Sequence, residues 1–200
     1  NNFNDKKIVY FPLHLEPEIS LIWVSPEFSN SMEAITWLSK SLPADRVIVV
    51  KEHLTCLGHR SKKYYDRLRC MPNVFLAHPS VESWEWIKKS EIVSTITGTA
   101  AIEAIYFNTP VMSFGAHQVI NLLPTVRYVF DFNSVSNAMN EIFDGFDDNT
   151  LNKSKWSLYK MQMDVSFSMK EYDKNYSKSE LAPDMAFTSM KKLLIDINDN

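Results

Sequence analysis

The stretch that decides the fold is EIVSTITGTAAIEAIYFNTPVMSFG, residues 91–115. It starts as a short apolar run, passes through Thr-Gly-Thr, continues as TAAIEAIYFN and returns to a second apolar run. Short apolar runs bounded by turn residues are typical of buried strands. The stretch therefore predicts a strand over 91–97, a helix over 99–108 and a strand over 109–115.

The same alternation runs through the residues before this stretch. It predicts further strands at 7–13, 46–53 and 73–79, and helices at 31–42, 61–70 and 80–90. The strands are continuous apolar runs, which indicates burial on both faces and hence a parallel sheet covered by helices on both sides. The predicted fold is α/β, a doubly wound parallel sheet that binds ligands at the carboxyl ends of its strands.

Two helix starts carry capping signals, and the end of the chain has a different pattern. Ser31 is a plausible N-cap, and Ser80, Glu82 and Ser83 form a capping-box-like start. After residue 133 the pattern predicts a helix over 134–146, a polar linker over 147–154 and two more helical segments, 156–167 and 181–197. We expect one α/β domain over 1–146 and a helical extension over 147–200 that packs on it.

The composition excludes several classes of protein. The 200 residues are 45% hydrophobic with a net charge of -3, which gives no bulk reason to expect a nucleic acid partner. Two cysteines without a CxxC motif favour a reduced, intracellular protein with free thiols. No apolar run reaches the ~18 residues of a membrane span. The polar start does not resemble a signal peptide, and without an initiator Met we expect a piece of a longer chain.

Polar residues follow each predicted strand. They are HLEPE (14–18), KEH (51–53), HP (78–79), TGT (97–99) and FGAHQ (114–118). In a doubly wound sheet the loops at the carboxyl ends of the strands converge on one rim. We therefore expect these side chains to surround one ligand site.

The Thr-Gly-Thr sequence before a helix is suited to phosphate. It presents backbone N–H groups and two hydroxyls at a positive helix end, and Gly98 allows close approach. Glu103 lies one turn beyond Thr99 on the same helix face, where a carboxylate can accept hydrogen bonds from a ribose diol. The alternative remains that Thr99 only caps the helix and Glu103 is solvated. Lys51 and His53 have the same two interpretations, as phosphate or sugar ligands or as ordinary surface residues.

Other nucleotide-binding and catalytic motifs do not occur in the sequence. It contains no GxGxxG, no GxxxxGK[ST] and no GxSxG, which argues against an NAD enzyme, a P-loop NTPase and an α/β-hydrolase. The histidines show no zinc pattern, and no DxD-type carboxylate pair follows a strand. We expect no metal and no other cofactor.

Five segments together resemble a known family. They are YFPLHLEPEIS (10–20), LP (42–43), VVKEH (49–53), PNVFLAHP (72–79) and ITGTAAIEAIYFNTPVMSFG (96–115). In this order, over roughly residues 8–130, they resemble the capsule polysaccharide biosynthesis proteins, bacterial GT-B glycosyltransferases that include the Kdo transferases. The resemblance implies a Rossmann-like, carboxyl-terminal, donor-binding half of a two-domain enzyme.

The resemblance also implies roles for individual residues. Glu103 matches the glutamate that binds the donor ribose, and residues 97–99 match the phosphate loop. Lys51 and His53 match a lysine–glutamate–histidine run that is usually followed by proline, where this chain has Leu54. The remaining candidates are His14 and Glu18 in the loop facing the interdomain cleft and Gly115 as a further donor-binding residue. The catalytic base is expected either in the absent domain or as His14 or Glu16 of this chain.

The implied reaction is transfer of a sugar from a nucleotide donor to a saccharide hydroxyl. The Kdo-transferring relatives suggest a CMP-linked donor. A GT-B enzyme needs a second domain for its acceptor, so the expected partner is a missing amino-terminal half or a separate subunit. The alternatives are a nucleotide-sugar 2-epimerase and a non-catalytic assembly module on the same fold. The expected location is the cytoplasm, with at most peripheral association at the inner face of the membrane.

Overall fold

The computed structural model describes residues 5–17, 21–22, 25–28 and 30–165. Glu18 and the helical segment expected over 181–197 lie outside the described residues. The described residues up to Lys155 form one compact unit, and Trp156 begins a second, of which residues 156–165 are described. The division into a domain over 1–146 and an extension that packs on it stays a prediction.

The described residues form a six-stranded parallel sheet. The strands are β1 (Lys7–Pro12), β2 (Arg46–Lys51), β3 (Val74–Leu76), β4 (Ile92–Thr95), β5 (Val111–Ser113) and β6 (Val126–Tyr128). Their order in the sheet is β3-β2-β1-β4-β5-β6, and every neighbouring pair is parallel. The predicted doubly wound α/β fold is confirmed. The strand order reverses between β1 and β4, which is where such sheets open a crevice for ligands.

Helices cover both faces of this sheet. They are α1 (Ser31–Ser41), α2 (Lys62–Arg69), α3 (Ser83–Lys89), α4 (Thr99–Tyr106) and α5 (Phe132–Phe143). A further helix, α6 (Asp148–Val165), follows α5 along the chain. Helices α1 and α5 pack together, and so do α3 and α4. Because successive side chains of a strand point to opposite faces, Phe11 of β1 enters the core beneath α1 and α5 while Tyr10 faces α3 and α4.

The main core lies between the sheet and α1 with α5. Val9 and Phe11 of β1 and Ile48 and Val50 of β2 are fully buried there, together with apolar residues of both helices. Full burial of each such side chain contributes roughly 1.5–3 kcal/mol. This core fixes the strands, and thereby fixes where the loops at their carboxyl ends emerge.

Two predicted elements need correction. Strand β6 was not predicted, since it has only three residues and Arg127 stands at its centre. The polar linker expected over 147–154 is wrong, because α6 begins at Asp148 and continues through it. Asp147 accepts a hydrogen bond from the N–H of Thr150 at 2.6 Å, which satisfies a free donor of the first turn.

The capping predictions are also corrected. The N-cap of α1 is Asn30, whose side chain accepts from the N–H of Met32 at 3.1 Å, while Ser31 is the first helical residue. The expected capping box of α3 does not form, since Glu82 precedes the helix without a side-chain cap bond. The hydroxyl of Ser80 pairs instead with Nδ1 of His78 at 2.7 Å.

Gly115 gives a test of the packing at the sheet rim. A Cβ on Gly115 would overlap the side-chain amide of Gln118 and the carbonyl oxygen of Ile96. We expect Gly115→Ala to lower the free energy of unfolding by about 1–3 kcal/mol, measured by urea denaturation. Because the carbonyl belongs to the backbone, Gln118→Ala in the same chain should not rescue the loss. A Gly115→Ala variant as stable as the wild type would contradict this packing.

Candidate functional site

Two neighbouring cavities open at the carboxyl ends of β1, β2 and β4. The first, about 280 Å³, is lined by residues 12–15, by Thr95, by residues 97–100 and by His53. The second, about 320 Å³, is lined by Tyr10, by residues 51–55, and by Glu82 and Ser83. Pro12, Leu13 and His53 line both cavities, so the two adjoin at the crevice where the strand order reverses.

The Thr-Gly-Thr loop forms one wall of the first cavity. Gly98 has φ 122° and ψ 167°, a backbone conformation open almost only to glycine. Gly98 is also the N-cap of α4, so the interpretation of Thr99 as the cap is wrong, and Thr99 is the first helical residue. Among the described residues no side chain caps this helix, whose first N–H groups remain available to an anion.

His14 holds the Thr-Gly-Thr loop from the opposite side of the crevice. Its ring is buried, with 7% of the residue exposed, and it lines the first cavity. The N–H of Thr97 donates to Nε2 at 3.0 Å, and the hydroxyl of Thr95 lies 3.2 Å from the same atom. The structure thus brings His14 and Thr97 together, with the imidazole against the backbone of the loop. A role of His14 as the catalytic base stays a prediction.

Glu16 lies in a different environment from the one a base requires. Oε1 accepts hydrogen bonds from the backbone N–H and the hydroxyl of Ser31, at 2.8 and 2.6 Å. Oε2 accepts from Nη1 of Arg60 at 2.6 Å. Glu16 lines neither cavity. This geometry is that of a structural carboxylate and gives no support to Glu16 as the catalytic base.

Arg60 is the centre of a buried ion network that sequence reasoning missed. Besides Glu16, its guanidinium donates to Oε2 of Glu52 at 2.8 Å and to the carbonyl oxygen of His14. Glu52 also accepts from the hydroxyl of Tyr65 at 2.6 Å. Arg60 and Glu52 have side chains only 7% and 6% exposed. In the sequence Arg60 is one basic residue in a polar loop, and nothing in that loop indicates its partners.

The neighbouring carboxylates keep the guanidinium of Arg60 charged. Burial by itself lowers the pKa of the Arg60 guanidinium, but Glu16 and Glu52 more than compensate and raise this pKa above its usual value. Burial, followed by the hydrogen bond to Glu52, raises the pKa of Tyr65 to about 12. Tyr65 therefore stays neutral and acts as a donor to Glu52.

Lys51 and His53 reach the rim at different places. Lys51 is buried and lines the second cavity, so it does not share a cavity with the Thr-Gly-Thr loop. His53 is exposed between the two cavities, where its Nδ1 lies 2.7 Å from the hydroxyl of Thr55. The structure brings both residues to the predicted rim but places Lys51 in a different cavity from the Thr-Gly-Thr loop.

Glu103 and Gly115 line neither cavity. Glu103 is half-buried on α4, close enough to Tyr10 to affect its ionisation. The pKa of Tyr10 rises to about 12, chiefly because of burial, with Ser83 opposing the rise and Glu103 adding to it. Tyr10 and Ser83 are walls of the second cavity, so Glu103 lies beside that cavity. Gly115 serves the packing beneath the loop, as described above.

Metal ligands, membrane-spanning helices and free thiols also bear on the chemistry of this chain. Among the described residues, no three side chains of His, Cys, Asp or Glu gather closely enough to hold a metal ion. In the same part of the chain, no helix combines the length and the apolar character needed to cross a membrane. Cys56 and Cys70 are free thiols, one buried and one exposed.

Comparison with solved structures identifies the class of fold. A scan of protein-family models finds no match, and a search of the curated proteins finds none either. The Methanocaldococcus jannaschii UDP-GlcNAc 2-epimerase, in complex with UDP-GlcNAc and UDP, matches with a TM-score of 0.53 and 16% identity. The match covers 80% of this chain and 46% of that chain.

Two glycosyltransferases match comparably. The beta Kdo 2,7 transferase of Thermosulfurimonas dismutans KpsC has a TM-score of 0.50 and 19% identity, covering 67% of this chain and 45% of that chain. The spinosyn rhamnosyltransferase SpnG has a TM-score of 0.51 and 11% identity, and the match covers 77% of this chain and 40% of that chain. The chain thus has the Rossmann-like fold found in GT-B glycosyltransferases and UDP-GlcNAc 2-epimerases. It spans less than half the length of each of these three structures.

Removal of Arg60 tests the buried network. We expect Arg60→Met to lower the free energy of unfolding by about 3–5 kcal/mol, because two buried carboxylates lose their counter-charge. The matched control is Arg69→Met. The Arg69 side chain is 64% exposed and forms a 3.5 Å ion pair with Asp66, so its replacement should cost less than about 1 kcal/mol. Urea denaturation of both variants measures the difference. Equal, small losses would show that the network does not stabilise the fold.

The raised pKa of Tyr10 gives a prediction for alkaline pH. The folded state favours the neutral phenol, so its contribution is complete below pH 10 and is lost as the pH rises towards 12. The free energy of unfolding of the wild type should fall as the pH rises from 9 to 11. In Tyr10→Phe this fall should be smaller by about 1 kcal/mol. Tyr159→Phe, at an exposed position, is the control. The interpretation is wrong if Tyr10→Phe loses as much as the wild type in urea denaturation at the two pH values.

Proposed function

We propose that this chain is the nucleotide-sugar-binding half of a glycosyltransferase that makes bacterial capsule or another surface polysaccharide. One observation carries the proposal. A cavity opens at the crevice between β1 and β4, and the start of α4, uncapped by any described side chain, faces it with Thr97, Gly98 and Thr99. Helix starts of this kind bind phosphate, and crevices of this kind bind nucleotides.

The phosphate end of the donor belongs in the first cavity. The N–H groups of α4 supply donors and the positive end of the helix dipole, and Thr99 adds an exposed hydroxyl. Because the ring of His14 holds Thr97 in place, these groups are positioned before the ligand arrives. Preorganised donors of this kind also stabilise the phosphate that departs when the sugar is transferred.

The ribose belongs beside Glu103. This carboxylate lies one helical turn beyond Thr99 and is half-buried next to Tyr10, at the edge of the second cavity. It can accept one hydrogen bond from each hydroxyl of a ribose diol, and hydrogen bonds to a charged group contribute about 1.5–3 kcal/mol. The same position is the one that the family resemblance gives to the ribose-binding glutamate.

The whole enzyme needs more than this chain. The acceptor saccharide would bind to a second GT-B domain, supplied by a longer form of the protein or by a separate subunit. The catalytic base would come from that domain or be His14. The proposed donor is CMP-linked, no metal is required, and the proposed location is the cytoplasm or the inner face of the membrane. The resemblance over residues 8–130 favours capsule synthesis, and the likeness to a Kdo transferase structure agrees with it in fold.

Nucleotide binding tests the proposal. We expect one of CMP, CDP, UDP and GDP to stabilise the protein, by about 2.7 kcal/mol at 100 times its Kd. Glu103→Gln should weaken that nucleotide about 10- to 100-fold, because a neutral amide accepts the ribose hydrogen bonds less strongly. Glu33→Gln, at an exposed position on α1, should bind like the wild type. Thermal shift and calorimetric titration measure these effects.

The contrary results separate the alternatives. Unchanged affinity in Glu103→Gln would show that the ribose assignment is wrong, and no binding of any nucleotide would contradict the donor site. Release of free N-acetylmannosamine from UDP-GlcNAc would favour an epimerase. Nucleotide binding without sugar transfer, in the presence of the missing half and acceptor, would favour an assembly module.

A further inference from the structure

Arg60 contacts three separate parts of the rim, each through a different nitrogen of its guanidinium. Nε donates to Oε2 of Glu52 at 2.8 Å, Nη1 donates to Oε2 of Glu16 at 2.6 Å, and Nη2 donates to the carbonyl oxygen of His14. The carbon of the guanidinium lies 4.9 Å from the centroid of the Tyr64 ring. The side chain of Arg60 is only 7% exposed, so these donors are shielded from water.

The two carboxylates hold the guanidinium in one place. Glu16 is joined to the start of α1 through the N–H and the hydroxyl of Ser31, and Glu52 directly follows the last residue of β2. Both anchors therefore connect to regular elements of the fold. A guanidinium is planar and its donors point in fixed directions, so engaging two of them sets the direction of the third, which meets the carbonyl of His14.

The contact with His14 lies just past the end of β1. The N–H of Leu13 still donates to the carbonyl of Lys51 in β2, at 2.8 Å. The next residue, His14, lies beyond the strand, and its carbonyl accepts from Arg60 instead. The ring of the same histidine accepts from the N–H of Thr97 at 3.0 Å. Arg60 thus holds the backbone of His14, and the side chain of His14 holds the Thr-Gly-Thr loop.

We infer that Arg60 is a positioning residue for the Thr-Gly-Thr loop and that it acts through His14. That this loop binds the phosphate of a nucleotide-sugar donor rests on the proposed function. Arg60 lines neither cavity, so its role requires no contact with the ligand. A loop already held in its binding conformation loses less entropy when the ligand binds, and the contacts of Arg60 therefore increase affinity.

A pair of substitutions separates positioning from general stabilisation. Arg60→Lys keeps a positive charge beside both carboxylates, but one ammonium cannot replace three nitrogens spread over a plane. Arg46→Lys is the matched control. The side chain of Arg46 is also largely buried, at 12% exposed, and donates to Glu91 and Asp45 at 2.8 Å. It belongs to the first residue of β2, at the opposite end of that strand from the rim.

Amide hydrogen exchange of the ligand-free protein provides the first test. The reporter is the N–H of Thr97, and the reference is the N–H of Val93, which belongs to β4 and donates to a backbone carbonyl at 3.0 Å. We expect Arg60→Lys to speed the exchange of Thr97 about 10- to 100-fold relative to Val93, by local opening. In Arg46→Lys this ratio should be that of the wild type. An unchanged ratio in Arg60→Lys would overturn the inference.

Ligand affinity provides the second test. The probes are inorganic pyrophosphate, CMP, CDP, UDP and GDP, titrated by calorimetry at a temperature at which every variant is folded. We expect Arg60→Lys to weaken each probe that binds the wild type by about 10-fold, because the donors at the start of α4 are no longer preorganised. Arg46→Lys should bind like the wild type. Equal losses in the two variants would make Arg60 a general structural residue and overturn the inference.

A double-mutant cycle tests the route through His14. His14→Ala removes the ring but keeps the carbonyl that Arg60 contacts, so it breaks the link to Thr97 by itself. Adding Arg60→Lys to His14→Ala should then cause no further loss of affinity and no further exchange at Thr97. Additive losses would show that Arg60 acts by another route, against the inference.

The outcomes distinguish this inference from the proposed function. If nucleotides bind but Thr97 exchanges in Arg60→Lys as it does in the wild type, the positioning role is wrong and the donor site stands. If no probe binds to the wild type but Thr97 loses protection in Arg60→Lys and not in Arg46→Lys, the positioning role stands and the proposed function is wrong.

Discussion

The structure of the candidate site depends on the guanidinium of Arg60. It joins two carboxylates from different loops, Glu16 after β1 and Glu52 after β2, and donates to the carbonyl of His14. Glu16 in turn holds the start of α1 through Ser31. A buried arrangement of this kind is weak evidence for stability compared with an apolar core, but it fixes geometry, since each member is costly to leave unpaired. Arg60 contacts His14, and His14 contacts Thr97. Through these contacts the loop that contains Arg60 positions the start of α4, although the two are far apart in the sequence.

The rim therefore contains two kinds of polar residue. Glu16, Glu52, Arg60 and His14 satisfy one another or the backbone, and they hold the loops. Thr97, Gly98 and Thr99 lie at the start of α4, whose first N–H groups receive no side-chain cap from the described residues. Free donors at a helix start favour an anion, so this second kind indicates a ligand better than the mere presence of charge does. Sequence alone cannot separate the two kinds, since both are polar residues after a strand.

The fold could be predicted because the sequence pattern that indicates it lies within short segments of the chain. Continuous apolar runs such as 46–50 and 91–97 report burial on both faces, and their alternation with helices determines a parallel sheet. The secondary structure was predicted wrongly where the local composition is ambiguous. These places are β6, a three-residue strand with a central arginine, and residues 147–154, where a polar sequence forms the start of a helix. Of the site, the sequence indicated which loops meet. It did not indicate that Glu16 faces Arg60, because their separation by 44 residues carries no periodic signal.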